Sequence, residues 1–320
     1  MNEAPVVFLM GPTGAGKTAT VFALSTLLPI DVISVDAAQI YRGLNIGTAK
    51  PSLAERRLVP HRLIDIRSVA ESYSAAAFCH DARLAIAASI RRQRLPVLVG
   101  GSSFYFRALE QGLPDSPAAD PVLRAELLAR AQREGLPTLY RELVRRDPER
   151  AVHIAPTDPQ RIVRALEIVM VLGKVPPVSA PGTSFPYTVI KFAVSPRDRS
   201  ELHERIARRF KTMLARGLID EGIWLYGQSL APTAPALRLV GYRQVGEYLR
   251  DKIQYTDLVL QGTAATRQLA KRQLTWLRND PAVEWLDSSG IGSAEACATA
   301  IQESVKRKRD HPSAGDRVPQ

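Results

Sequence analysis

A glycine-rich segment near the start of the chain has the residue types and the spacing that bind phosphate groups. The apolar run 6–10 predicts a buried strand and residues 17–28 predict a helix, so segment 11–18 lies where a strand turns into a helix. Its glycines allow a tight turn in which backbone N–H groups point at an anion, at the positive end of the helix. Lys17 adds a full positive charge, and the Thr18 hydroxyl is placed to ligate a magnesium ion that bridges phosphoryl oxygens. We call this segment the phosphate loop, and its predicted phosphate-binding residues are Gly11, Pro12, Thr13, Gly14, Ala15, Gly16, Lys17 and Thr18.

Asp36 is the second candidate for a chemical role. It ends the short apolar run 31–36, which predicts another buried strand. Ligands of parallel α/β sheets bind outside the carboxyl ends of the strands, so Asp36 is expected on the same rim as the phosphate loop. There it could ligate or orient the magnesium ion, or accept a proton from a nucleophile. The alternative is an aspartate that only caps a local turn.

The order of strands and helices predicts an α/β fold. Strands and helices alternate up to the strand that ends at residues 100–101, which is typical of a doubly wound parallel sheet of the P-loop NTPase type. Proline-rich breaks at 113–121 and 175–182 enclose three predicted helices and indicate an inserted all-helical module. The predicted organisation is a core at 1–114, a helical insertion at 115–183, the continued core with basic C-terminal helices at 184–303, and a disordered tail at 304–320.

The composition favours a polyanionic partner and argues against a membrane protein. The 320 residues include 43 Lys and Arg against 32 Asp and Glu, a formal net charge of +11. No segment approaches the ~18 apolar residues of a membrane span, and the N-terminus lacks a basic-then-apolar leader, so we expect a cytoplasmic protein without a membrane partner. Cys79 and Cys297 lack the spacing of a metal site and are expected to be reduced thiols.

A long helix predicted at 256–279 has one basic face. At 100° per residue, its cations share a contiguous surface that contains no acidic residue, which predicts contact with a nucleic-acid backbone. An ordinary solvated face is the alternative, although such faces usually mix charges of both signs. The cations of this face are Arg267, Lys271, Arg272 and Arg278.

Several strings resemble, in the right order and over nearly the whole chain, the bacterial tRNA dimethylallyltransferase (tRNA isopentenyltransferase) family. Many of them are rare outside that family, so the resemblance is far more specific than the phosphate loop alone. They differ from it at residue 37, where the family usually has Ser and this chain has Ala37. The strings lie at 11–18, 36–43, 45–51, 60–65, 71–74, 99–106, 158–161, 240–244 and 266–278.

The resemblance implies transfer of a dimethylallyl group from dimethylallyl diphosphate to N6 of the adenosine at position 37, beside the tRNA anticodon. It implies that segment 11–18 binds the diphosphate with Mg2+ on Thr18, that Lys17 stabilises this leaving group, and that Thr13 acts at the bridging oxygen. Asp36 would accept the proton of the attacking amine. The helical insertion would bind the anticodon stem-loop, and we expect a monomer. The implied tRNA-binding residues are Asp36, Ala37, Ala38, Gln39, Ser102, Arg124, Gln160, Arg161, Arg164, Arg243, Arg267, Lys271, Arg272 and Arg278.

Two other functions are compatible with a phosphate loop. In a small-molecule kinase, Lys17 would contact the β- and γ-phosphates of ATP and Asp36 would activate an acceptor hydroxyl. Such a kinase would leave the basic helix and the insertion without a role. A non-catalytic RNA-binding protein with a vestigial loop would leave the intact set of Lys17, Thr18 and Asp36 unexplained.

Overall fold

Six parallel strands form one sheet in the order β3-β2-β4-β1-β5-β6. Every residue of β1 and β2 is buried, because helices cover parallel sheets, and this burial explains why β1 is entirely apolar and β2 mostly so. The predicted parallel α/β sheet is confirmed. The strands are β1 (Val6–Met10), β2 (Ile30–Val35), β3 (His61–Arg62), β4 (Leu95–Gly100), β5 (Val189–Ser195) and β6 (Glu284–Asp287).

The computed structural model describes residues 5–114, 116–117, 120–173 and 185–310. The chain divides into two units, one formed by Met1–Leu109 with Pro186–Gln320 and the other by Glu110–Phe185. The second unit begins before and ends after the insertion predicted at 115–183. Within the described ranges, no helix combines the length and the apolar character that a membrane span requires.

Helices account for most of the remaining described chain. In the larger unit they are α1 (Lys17–Leu27), α2 (Leu53–Leu58), α3 (Ala75–Arg91), α4 (Ser103–Gln111, which runs into the second unit), α9 (Arg199–Ala215), α10 (Leu218–Tyr226), α11 (Tyr242–Tyr248), α12 (Tyr255–Arg278) and α13 (Ser293–Asp310). The second unit contains α5 (Pro121–Glu134), α6 (Leu136–Arg146), α7 (Pro148–Ala151) and α8 (Pro159–Leu172), and its apolar side chains form a core cluster of their own.

The prediction of a disordered tail from residue 304 is wrong for its first part. Helix α13 continues to Asp310, and Ile301 and Val305, four residues apart on one helical face, are buried in the core cluster with Leu24 of α1. The charged composition that suggested disorder therefore belongs to the exposed side of a packed helix. Residues 311–320 lie outside the described residues.

The strand register brings the candidate residues to one edge of the sheet. Both Met10 at the end of β1 and Val35 at the end of β2 are paired with Gly100 at the end of β4. The chain leaves both strands at the same edge of the sheet, so the phosphate loop and Asp36 start there on either side of β4.

Gly100 is required by the close approach of β4 to β2. A Cβ atom at this position would overlap the carbonyl oxygen of Val35. We expect Gly100→Ala to lower the free energy of unfolding by about 2 kcal/mol or more, because the overlap involves backbone that can move only with the strand. Gly227→Ala is the control, since its Cβ would come no closer than 3.3 Å to the Ile223 carbonyl oxygen. Urea unfolding of both variants checks this, and equal midpoints would contradict it.

Candidate active site

A cavity of about 890 Å³ opens at the carboxyl edge of the sheet in the larger unit. The phosphate loop, the turn after β2, the glycines after β4 and residues of α9 and α12 line it. Each contributes polar groups, so the cavity can hold a charged ligand. The sequence-predicted site residues on its wall are Thr13, Gly14, Ala15, Gly16, Lys17, Thr18, Asp36, Ala37, Ala38, Gln39 and Ser102.

The phosphate loop spans the gap between β1 and α1. Gly11 has φ 151° and lies so close to β5 that a Cβ atom would overlap the Val194 carbonyl oxygen, while Gly16 has φ 96° just before α1. The Lys17 Nζ atom donates hydrogen bonds to the carbonyl oxygens of Gly11 and Pro12, both at 2.8 Å. The ammonium group is therefore held against the loop, and Thr18 follows it at the exposed start of the helix.

Lys17 is held in surroundings that disfavour its charge. Burial, together with the smaller effect of the positive charge of Arg209, lowers the pKa of Lys17 from 10.5 to about 7, although the carboxylate of Asp36 partly offsets both effects. An anionic ligand in the cavity would favour the charged form. Binding of such a ligand is thus coupled to the protonation of Lys17.

Asp36 caps the turn after β2, which was one of the two interpretations that the sequence left open. Its Oδ1 atom accepts hydrogen bonds from the backbone N–H groups of Ala38 at 2.8 Å and Gln39 at 3.3 Å, so it does cap the turn after β2. Among the described residues, only this oxygen is engaged by a hydrogen bond. The carboxylate is consequently fixed by one oxygen and can offer the other to a ligand in the cavity.

Arg209 is a site residue that the sequence-based prediction of the site left out. It is partly buried and lines the cavity from α9; burial lowers its pKa, and the charge of Asp36 opposes this shift. A signal existed, because Arg209 lies three residues after Ile206 and directly before Phe210, within the buried side of α9. A cation at such a position is rare unless it meets a negative group.

Gln273 of α12 connects two of the loops that line the cavity. Its Oε1 atom accepts the backbone N–H of Thr13 at 3.0 Å, and its Nε2 atom donates to the carbonyl oxygen of Gly101 at 3.0 Å. Gln273 was not among the predicted site residues, although it lies in the string 266–278. Gln273 connects the phosphate loop to the end of β4, although it lies 260 residues after Thr13 in the chain.

Comparison with known proteins assigns the family. Residues 39–280 match the family model of IPP transferase. The chain belongs to the IPP transferase family. A tRNA dimethylallyltransferase from Thiobacillus denitrificans is 51% identical over 288 residues, which are 88% of this chain and 91% of that protein. The full-length tRNA isopentenylpyrophosphate transferase of Bacillus halodurans has a TM-score of 0.71 at 33% identity and covers 97% of this chain and 99% of its own. A eukaryotic dimethylallyltransferase acting on tRNA has a TM-score of 0.80 at 25% identity, covering 98% of this chain and 82% of its own.

In this IPP transferase family member, the predicted basic face of α12 is largely exposed. Lys271, Arg272 and Arg278 are exposed, whereas Arg267 is partly buried and its Nε atom has no hydrogen-bond partner among the described residues. Arg243, which was also predicted to bind tRNA, is exposed on α11. These cations lie outside the cavity wall, so they are suited to contact a ligand larger than the cavity.

The predicted tRNA-binding residues of the second unit fall into two groups. Gln160 and Arg161 are exposed at the start of α8. Arg124 donates two hydrogen bonds to Glu167, at 2.6 and 2.9 Å, and Arg164 donates a third at 3.0 Å. Glu167 is only 2% exposed, because the two arginines neutralise it inside the unit. Arg124 and Arg164 therefore have a structural role that the sequence did not reveal.

The cavity has a donor set that fits Mg2+. The hydroxyl of Thr18, the predicted ligand, and the carboxylate of Asp36 both line the cavity and are hard oxygen groups of the kind that Mg2+ prefers. No group of three or more His, Cys, Asp or Glu residues that could hold a metal ion occurs in the part of the chain that the structure describes. A magnesium ion here would take its other ligands from phosphoryl groups and water, as this ion usually does.

The coupling of Lys17 to anion binding can be measured directly. NMR of the protein with 13C-labelled lysine, assigned with Lys17→Arg, should show a lysine that titrates near pH 7 in the free protein. Inorganic diphosphate should move that titration upward by about one pH unit or more, because the anion favours the charged ammonium. A Lys17 signal that titrates in the free protein at the ordinary lysine value, about pH 10, would contradict the described environment.

Proposed function

We propose that this protein transfers the dimethylallyl group of dimethylallyl diphosphate to N6 of adenosine 37 in the anticodon stem-loop of tRNA, with release of diphosphate. The observation that supports it best is the convergence of the phosphate loop with Lys17, Arg209 and Asp36 in a single cavity of an IPP transferase family member. The relative at 51% identity is named a tRNA dimethylallyltransferase.

The donor end of the reaction depends on stabilising negative charge. As the allylic C–O bond breaks, its electron pair stays with the diphosphate, whose charge is spread over several oxygens. Lys17, Arg209 and the loop N–H groups that have no partner among the described residues would face this charge, and Thr13, which lies on the cavity wall, would act at the bridging oxygen. Magnesium held by the Thr18 hydroxyl would neutralise further charge on the diphosphate, and the free oxygen of Asp36 would stay available as a base.

The acceptor end depends on a base. The exocyclic amine of adenine is a poor nucleophile, so it must be held in line with the allylic carbon while its proton is removed. The oxygen of Asp36 that does not cap the turn can take this proton as the N–C bond forms. The bond broken is the C–O bond, the bond formed is N6–C, and the proton moves to Asp36.

The target base must leave its stack to reach this cavity. Enzymes that modify a base extrude it from its neighbours, and single-stranded loops allow this at the lowest cost. The exposed cations of α11 and α12 could hold the surrounding backbone while the base enters. We propose that the protein acts as a monomer in the cytoplasm, where its tRNA substrate is found.

The proposed base can be tested with a near-isosteric variant. Asp36→Asn should slow the transfer of radiolabel from dimethylallyl diphosphate to unmodified tRNA by about a hundredfold or more, because the amide cannot accept the proton. Binding of tRNA should change much less. A transfer rate in the variant equal to that of wild type would exclude Asp36 as the base. ATP consumption with a small acceptor, and no label in tRNA with wild type, would instead favour a kinase.

The proposed role of α12 predicts a change in salt dependence. Lys271→Ala should weaken tRNA binding and reduce the slope of log K against log salt by about one unit, since one phosphate contact is lost. Lys306→Ala is the control, because it removes an exposed cation from a different helix, α13. Filter binding between about 50 and 200 mM salt measures both slopes, and equal slopes would remove α12 from the interface.

A further inference from the structure

One carboxylate organises the irregular segment that follows Asp36. Glu221 of α10 accepts hydrogen bonds from three consecutive backbone N–H groups: Asn45 at 2.7 Å, Ile46 at 2.9 and 3.0 Å, and Gly47 at 3.0 Å. Three adjacent amides that converge on one anion form an anion-binding nest. Here the protein's own side chain fills it, from more than 170 residues away.

Tyr242 of α11 completes this arrangement. Its hydroxyl donates to Glu221 Oε1, and burial together with the neighbouring carboxylate raises the pKa of Tyr242 far above its usual range, so the hydroxyl remains a donor. The ring is 1% exposed and packs against Gly47, where a Cβ atom would come within 2.6 Å of Cζ. The position of this segment is therefore fixed by two side chains, Glu221 of α10 and Tyr242 of α11.

The segment in turn contacts the residues beside the proposed base. The carbonyl oxygens of Thr48 and Ala49 accept hydrogen bonds from Gln39 Nε2, each at 3.4 Å. The other end of this amide, Gln39 Oε1, accepts the Ser34 hydroxyl at 2.9 Å, and the backbone N–H of Gln39 donates to Asp36. A continuous set of hydrogen bonds thus runs from Glu221 through 45–49 to Gln39 and Asp36.

This set of contacts lies on the part of the cavity wall that carries Asp36, the proposed base. Gly47, Thr48, Ala49 and Tyr242 line the cavity together with Asp36 and Gln39. The phosphate loop is held separately, through Gln273 and through the contacts of Lys17 with the loop carbonyls. A disturbance at Glu221 should therefore reach the base and the neighbouring wall without reaching the phosphate site.

We infer that Glu221 is a positioning residue for the acceptor: it fixes segment 45–49, and through it Gln39 and Asp36, in the geometry that the incoming adenine requires. The inference rests on the proposed function, because the acceptor is the tRNA base named there. Glu221 does not touch the reacting atoms. A carboxylate is suited to this role because it can accept several hydrogen bonds at once through both oxygens, whereas an amide offers only one oxygen.

The test separates the acceptor from the donor. In Glu221→Gln, the amide NH2 group faces backbone N–H donors, so segment 45–49 should lose its fixed position. We expect kcat/KM for tRNA to fall by about tenfold or more, while the affinity for inorganic diphosphate changes by less than about twofold. Tyr242→Phe, which keeps the ring and removes only the hydroxyl, should show a smaller fall in the same direction. Asp220→Asn is the matched control, since it removes an exposed acidic charge from the adjacent position.

Each outcome has a separate meaning. Unchanged kcat/KM for tRNA in both variants would overturn the inference. Equal losses of tRNA turnover and diphosphate binding would also overturn it, because such losses indicate only that less protein is folded. If Glu221→Gln does not fold, Tyr242→Phe decides alone. If wild type and Asp220→Asn bind diphosphate but transfer no prenyl group, the proposed function fails instead of the positioning role.

Discussion

The site depends on the electrostatic interaction of two cationic side chains, Lys17 and Arg209, with the carboxylate of Asp36. Burial lowers the pKa of both Lys17 and Arg209, and Asp36 supplies the charge that opposes this effect. Keeping cations in such a place costs free energy unless an anion arrives. The packing around the cavity offsets that cost, and a diphosphate would supply the missing negative charge. The site is thus organised for an anion before one binds.

The packing of α9 against the phosphate loop and α12 holds Arg209 on the cavity wall. Leu202 and Ile206 form an apolar cluster with Ala270 of α12, and a Cβ atom at Gly14 would lie 3.3 Å from Ile206 Cγ1. Gly262 lets α12 approach Phe210 so closely that a methyl group there would overlap the ring. Two helices from the second half of the chain therefore complete a site that begins in the first twenty residues.

How much of this site can be predicted from the sequence depends on how far apart in the chain the interacting residues lie. The phosphate loop and Asp36 were predictable, because a strand, a turn and a helix place them through neighbouring residues. Gln273 and Glu221 were not, because each acts on backbone more than 170 residues away and leaves no local pattern. The prediction for the tail failed for a related reason: its burial against α1 is a tertiary contact that overrides a charged composition.

Charge alone therefore does not identify an RNA-binding residue, and pairing decides how each cation can be interpreted. Arg124 and Arg164 give hydrogen bonds to the buried Glu167, so part of their charge is used inside the second unit. Lys271 and Arg272 are exposed and have no acidic partner among the described residues. A phosphate can replace water at Lys271 and Arg272 without breaking an internal contact. At Arg124 and Arg164 it would compete with Glu167, a buried carboxylate that cannot be left unpaired. The α12 cations are for this reason the stronger candidates for a backbone contact.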